Sequence, residues 1–415
     1  MSASNVSRLG SANTYDLSIR NLSTRQATLS NLQENLTSGK RVVRASDDPA
    51  AAAQAERALT RIARIASDQR ALESHSNTIT LAESTLGDIT DALQTFRDLT
   101  VSAGNATHTQ AERTTIANQL QGLRESILSM ANRKDTNGLP LFSGLGSALT
   151  PFAGPNSPPT DYSFLGLPGQ TTSSETSIPG ALDGDSAFML QSKRDGVYNV
   201  TMSTIPTDRT LKTGATTVTN PNLVNGSSYA IAFTGVANAA GTTTVTYSIT
   251  ESPSGTVQSP LTASFPDNLP AKFTITQMPG LSLTVDGLPA AGDTLQVDAS
   301  PSSFSVMDDA IKDIGSASNA NAASQAVAQS LNNIDIVMAR ISAVRGEAGD
   351  LLNRADRITA TQESRSIQLE ADRSRAEDLD MVKGISDFQN QQTGYQVALQ
   401  TYAQVQKLSL FNFLG

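Results

Sequence analysis

Cysteine and tryptophan are absent from the 415 residues, and histidine occurs only at His75 and His108. A disulfide framework, a thiolate zinc site and a thiol nucleophile are therefore excluded, and so is a histidine-rich metal centre. Basic charge is also scarce. The net charge of −9 and pI near 4.9 leave no cationic footprint for nucleic acid or an anionic bilayer. No run approaches the roughly 18 apolar residues of a membrane helix. The first thirty residues lack the basic start, apolar run and small-residue cleavage site of a secretory signal. These absences predict a soluble chain without cofactor or metal, with no nucleic-acid partner and no membrane insertion, which leaves the cell, if at all, by another route.

Proline is confined. Sixteen of the seventeen prolines lie between Pro140 and Pro301, and the other is Pro49. An interior proline breaks a helix, whereas turns and edge strands tolerate it. Long helices are thus predicted for the outer segments and strands for the middle. The first helix is expected from about Asn5 to Ser38, ended by Gly39 at the left-handed cap position. Asp48-Pro49 signals a new start, with a carboxylate for the free amides and proline at the first helical position. Ile65, Leu72, Ile79, Leu86 and Leu93 then recur at heptad position a, with Ala82, Ile89 and Phe96 at d, up to about Ala103. Gly104-Asn105 ends this helix. Thr109 can cap the next, whose apolar face is Ile116, Leu120, Leu123, Ile127 and Met130.

Asn137-Gly138 reads as a tight turn. Beyond it, alternation of apolar and polar residues predicts strands at Tyr198–Met202, Tyr229–Phe233, Thr244–Ile249, Lys272–Thr276 and around Leu281, Leu283 and Val285. Helix resumes near Val306, and Leu331, Ile334, Met338, Ile341, Ala348 and Leu352 rebuild a heptad stripe. Arg357–Arg375 is dense in charge and reads either as a solvated helix or as a loose link. The fold class is mainly α with an inserted β region: a helical rod of paired terminal helices carrying one or two small β domains. The expected divisions are 1–45, 46–150, 151–305, 306–372 and 373–415.

Two stripes near the chain ends lack a partner in their own segments. Leu22, Leu29 and Leu36 are seven apart, with Ile19 and Leu32 beside them. Ile385, Phe388, Tyr395, Leu399 and Tyr402 form a second stripe, continued by Phe413 and interrupted by Gln392, Gln406 and Ser409. Exposed apolar surface costs about 25 cal/mol per Å². The two ends are therefore expected to pair with each other or with neighbouring subunits.

Few residues suggest chemistry. His75 falls at a d position and reads as a packed histidine rather than a titrating switch, and His108 sits in a polar turn. The pairs Asp47-Asp48 and Asp308-Asp309 are expected to cap helices rather than act as acid and base. Gly144 and Gly146 are a fragment of a glycine-rich loop without the helix that phosphate binding needs. The expectation is a protein that is not an enzyme.

Several stretches carry a family resemblance. LQENLTSGKRVVRASDDPAAAA (Leu32 to Ala53) resembles the signature of the bacterial flagellin superfamily. The segments from Asn132 to Gly144, Val344 to Arg354 and Gly384 to Leu414 are similar to those of its hook-filament junction members. The resemblance implies a structural adaptor exported unfolded through the flagellar type III apparatus, its terminal helices ordering on assembly. It also implies a ring of copies of the chain between hook-associated protein 1 and the flagellin filament. The expected assembly seam is Leu22, Leu29, Leu32, Leu36, Ile385, Phe388, Tyr395, Leu399 and Tyr402. An export chaperone is expected on Leu408, Leu410, Phe411, Phe413 and Leu414. The alternatives are flagellin itself, which would share this architecture, and a flagellin-like protein with an adhesive or catalytic insert. The span 150–305 contains no histidine or cysteine, which weighs against catalysis.

Overall fold

The computed structural model describes residues 11–156, 161–202 and 211–414, and within them the side chains from 16 to 404. The chain divides into two compact units, Met1–Arg70 with Thr359–Gly415, and Ala71–Ile358.

The first unit holds α1 (Ser11–Ser38), α2 (Pro49–Ala103) as far as Arg70, α7 (Ala320–Glu377) from Thr359, and α8 (Met381–Leu414). The bounds of α2 are those expected from Pro49 and Gly104. The charge-dense Arg357–Arg375 is continuous helix. In α1 the chain stops where Gly39 adopts φ +71°, a left-handed conformation that a β-carbon disfavours.

In the second unit α2 from Ala71, α3 (Gln110–Ala131), α6 (Ser303–Ser316) and α7 as far as Ile358 share one apolar core. The expected a and d residues Leu72, Ile79, Ala82, Leu86, Ile89, Leu93 and Phe96 are all buried in it. Opposite them lie Leu120, Ile127, Ile314, Ile334, Ile341 and Ala348. Thr109 caps α3 through a reciprocal capping box with Glu112. Buried Arg113 donates from Nε and Nη2 to the Ala317 carbonyl at 3.2 and 3.0 Å, satisfying an orphan acceptor at the end of α6. The segment after α3 is held by an aromatic cluster. Phe152 meets Phe188 edge-on at 5.1 Å and Phe304 at 5.6 Å, and Tyr162 lies 5.1 Å from Phe304. Gly144, at φ +62°, passes so close to this segment that a β-carbon there would meet the Leu167 carbonyl oxygen at 2.3 Å.

The insert is one β sandwich. Short strands β1 (Phe152–Ala153) and β2 (Ser163–Phe164) precede it, as do the single-turn helices α4 (Gly184–Phe188) and α5 (Ser192–Asp195). Its main sheet comprises β3 (Tyr198–Met202), β6 (Ser228–Ala239), β7 (Thr242–Ser252), β8 (Val257–Pro266) and β11 (Thr294–Ala299), in the antiparallel order β3-β11-β6-β7-β8. The smaller sheet centres on β10 (Leu281–Asp286). It pairs with β9 (Lys272–Ile275), β4 (Lys212–Thr213) and β5 (Thr217–Val218). Inward residues of both sheets form one core, in which Phe273 of β9 meets Phe233 of β6 at 6.2 Å and stacks on Phe265 of β8 at 6.1 Å. The single core decides between the one and two lobes left open by the sequence. Polar bonds fasten this sandwich to the helices. Asn333 donates to the Tyr198 carbonyl at 3.1 Å, Asn199 to Asp313 at 3.2 Å, and Gln325 accepts from the Thr213 amide at 2.6 Å.

One expectation fails here. Asp308-Asp309 does not cap a helix, because Ser302 already accepts from the Ser305 amide at 3.0 Å and starts α6 earlier than Val306. Both carboxylates therefore lie inside the helix. Asp308 contacts Arg124, and Asp309 accepts from Ser300 at 3.3 Å.

Candidate assembly interface

The first unit is organised around a clamp between two connectors. After Gly39, the Arg41 amide donates to the Glu377 carbonyl at 2.7 Å, and the Leu379 amide donates back to the Gly39 carbonyl at 2.9 Å. Lys40 pairs with the Glu377 carboxylate, and Arg41 Nη2 donates to the Ala376 carbonyl at 2.8 Å. Val42 fills a small pocket of Ala51, Ala55 and Ala376. The polar residues of the signature stretch have local tasks. Asp47 Oδ2 accepts from the Val43 and Arg44 amides at 3.2 and 2.8 Å, and Arg44 reaches both oxygens of Glu34 at 2.8 and 3.1 Å. Asp48 caps α2 through the Ala51 amide at 3.0 Å, as expected. That bond, with Arg41 beside it, holds the Asp48 carboxyl below the ordinary carboxylate range.

From this clamp α1 and α8 run back to back, antiparallel. A β-carbon on Gly384 would touch Leu36, and one on Gly394 would touch Arg25. Further on, Ser18 and Leu22 lie across an 810 Å³ groove from Val397, Thr401 and Tyr402. The expected pairing of the two ends is therefore present within the described residues. The seam is only half covered, however. Leu22, Leu29, Leu32, Leu36, Phe388, Tyr395 and Tyr402 are half-buried, whereas Ile385 and Leu399 are exposed, together with Leu17, Ile19, Val382 and Val397. A two-helix pair covers one side of each helix, and the stripe of α8 is wider than that. Leu408, Leu410, Phe411, Phe413 and Leu414 lie outside the described side chains.

A second cavity, of 600 Å³, is lined by Arg41 and Asp48 of the connector, by Gln54, Arg57 and Arg61 of α2 and by Arg375 of α7, among others. It was not foreseen from sequence. The signal was present in the heptad register: position d, apolar at Ala82, Ile89 and Phe96, is polar at Gln54, Arg61 and Asp68. No group of three histidine, cysteine, aspartate or glutamate side chains among the described residues could hold a metal. His75 is half-buried with Nδ1 2.8 Å from the Ile178 carbonyl, a satisfied packed histidine.

The family model for the bacterial flagellin N-terminal helical region matches residues 11–147, and that for the C-terminal helical region matches 331–414, together more than half of the chain. The flagellar hook-associated protein 3 of Salmonella typhimurium is 35% identical over 147 residues, covering 35% of this chain and 46% of the relative. That of Escherichia coli K12 is 34% identical over 139 residues, 34% of this chain and 44% of the relative. The chain thus spans under half the length of these curated relatives. Flagellin 1 of Proteus mirabilis is 30% identical over 136 residues, 33% of this chain and 37% of the relative. In fold the chain is similar to flagellar hook associated protein-3 from Legionella pneumophila, with a TM-score of 0.59 at 24% identity, covering 76% of this chain and 97% of that one. FlgL of Xanthomonas campestris follows at 0.56 and 24%, covering 73% and 98%. Both matched helical regions frame an insert, as the flagellin signature at Leu32–Ala53 leads one to expect. The chain belongs to the bacterial flagellin family.

Proposed function

We propose that this protein is a structural adaptor of the bacterial flagellum, a ring of copies at the hook-filament junction between hook-associated protein 1 and the flagellin filament. The observation that carries the reading is the incompletely covered seam between α1 and α8. Ile385, Leu399, Val382 and Val397 lie on a helix whose intramolecular partner covers only its other side. Neighbouring subunits supply the missing cover, and burial at about 25 cal/mol per Å² offsets the entropy of ordering the ends. The identity is also higher to hook-associated protein 3, at 35%, than to flagellins, at 30–31%, which favours the junction over the filament.

In this reading the chain passes the flagellar type III apparatus, and its lack of cysteine keeps it free of disulfide cross-links in transit. A chaperone covers Leu408, Leu410, Phe411, Phe413 and Leu414 beforehand, since exposed apolar tips aggregate. The test is a strain lacking the protein, with flagellin in the medium quantified and hooks viewed by electron microscopy. Hooks without filaments, with flagellin lost to the medium, are expected. Normal filaments would overturn the reading, and a filament-like copy number would favour flagellin.

A further inference from the structure

Charge is unevenly distributed along the chain. Residues 1–70 with 359–415 carry 15 basic and 13 acidic side chains, a balance of +2, whereas 71–358 carry 15 basic and 26 acidic, a balance of −11. The division runs through a single helix. As far as Arg70, α2 has Arg57, Arg61, Arg64 and Arg70 against Glu56 and Asp68. Beyond it come Glu73, Glu83, Asp88, Asp91 and Asp98 against Arg97. All these charges lie outside the first and last turns of α2, where the helix dipole acts, so the dipole does not set this order. Intrinsic helix stability therefore does not account for it.

Internal pairing does not account for it either. Glu83 is taken by Arg345 and Asp88 by Arg133. Arg57, Arg61 and Arg64, spaced four and three apart on one face, are all exposed with no ionic partner among the described residues. Two of them border the 600 Å³ cavity, where the other cations, Arg41 and Arg375, are already engaged by Asp48 and Asp372. On the acidic half, Asp91 and Asp98 are exposed; Asp98 accepts from Gln94 at 3.1 Å and feels the charge of neighbouring Arg97, whose close ion pair is with Asp335. Seven apart, Asp91 and Asp98 share the outermost heptad position, f, whereas the arginines take d and g.

We propose that the Arg57–Arg61–Arg64 stripe docks against the Asp91–Asp98 face of a second copy of this chain. The two halves of α2 carry opposite charge and are different surfaces of the same chain, so the contact is head-to-tail. Each copy gives one face and receives on the other, the heterologous arrangement that closes into rings or continues as a helix. The contact between exposed charges steers association and fixes register more than it adds affinity. This inference rests on the proposed function, because it supplies a subunit contact for the ring.

The test uses two full-length charge reversals, R57E/R61E/R64E and D91R/D98R, in the strain lacking the protein. The readout is the amount of the chain retained on isolated hook particles, with secreted protein and circular dichroism confirming export and folding. Each reversal alone is expected to be retained at under a tenth of the wild-type level. Expressed together they are expected to restore retention, because each mutated half then meets its opposite on the other variant. Retention of either reversal alone at the wild-type level overturns the proposal. Loss without rescue on co-expression also overturns it, and assigns the stripe to a different acidic partner. Absence of the wild-type chain from hook particles would instead fail the junction reading itself.

Discussion

The Tyr162 hydroxyl donates to Asp308 Oδ2 across 2.7 Å, and Arg124 Nε stands 2.8 Å from the other oxygen of the same carboxylate. The Arg124 N–H is poorly aligned on that oxygen, so the contact is ionic rather than a hydrogen bond. Desolvation raises the Asp308 carboxyl, while Tyr162 and Arg124 pull it back down. Burial, with Asp308 beside it, pushes the Tyr162 phenol well above its ordinary value, so it remains a donor at any working pH. Asp308→Asn would leave the guanidinium largely buried without its counterion, at a cost of about 2–4 kcal/mol. Tyr162→Phe should cost about 1–2 kcal/mol, since a hydrogen bond to a charged group is lost. Urea unfolding of the two variants checks the order, and equal midpoints would remove the ion pair from the account.

Asp309 gives a pH dependence whose sign is fixed. Burial, reinforced by Asp313, lifts its carboxyl from 3.8 to about 7. Between these values the folded state holds a proton that the unfolded chain has lost, so stability falls as pH rises through this window. Asp309→Asn removes the penalty. The variant should match the wild type near pH 4 and melt a few degrees higher at pH 8. A melting difference that does not change with pH would refute this assignment.

Two glycines should respond unequally to alanine. Gly138, at φ +80°, faces open space, so Gly138→Ala should cost only the left-handed penalty of about 1 kcal/mol. At Gly144 the same penalty combines with a β-carbon 2.3 Å from the Leu167 carbonyl oxygen. Gly144→Ala should therefore cost at least about 2–3 kcal/mol, measurable as a lower melting temperature of the segment packed around Phe152.

The exposed part of the α8 stripe separates folding from assembly. Ile385→Ser and Leu399→Ser should leave the melting temperature of the free chain within about 1 °C, because surface substitutions stay within about 0.5 kcal/mol. The same variants should lower retention on hook particles several-fold. Full retention would remove these residues from the subunit contact.

Much of this arrangement is legible in the sequence. Heptad spacing marks the core face of α2, because burial on one side of a helix leaves a periodic trace, and Leu72 to Phe96 obey it. Asp308-Asp309 misleads because the capping serine, Ser302, lies only a few residues earlier and short polar residues compete for the same task. Strand β8 is hidden by Pro260 and Pro266, which are tolerated because β8 is an edge strand whose outer amides need no partner. The seam of α8 is legible as a stripe, but not which side faces α1. That depends on the antiparallel crossing set by the clamp at Gly39 and Leu379. The arginine stripe on α2 is visible as polar residues at d and g positions, yet nothing in spacing alone distinguishes it from an ordinary solvated face.

The clamp also orders events in time. Lys40 and Glu377 stand 337 positions apart along the chain. Closing so long a loop costs on the order of 5 kcal/mol by chain statistics, so local helices and hairpins form well before it. During synthesis α1 is made before its partner α8, with the whole of the second unit between them. Throughout that interval the leucines of α1 have nothing to pack against, and the pairing of the two ends is the closing step of folding.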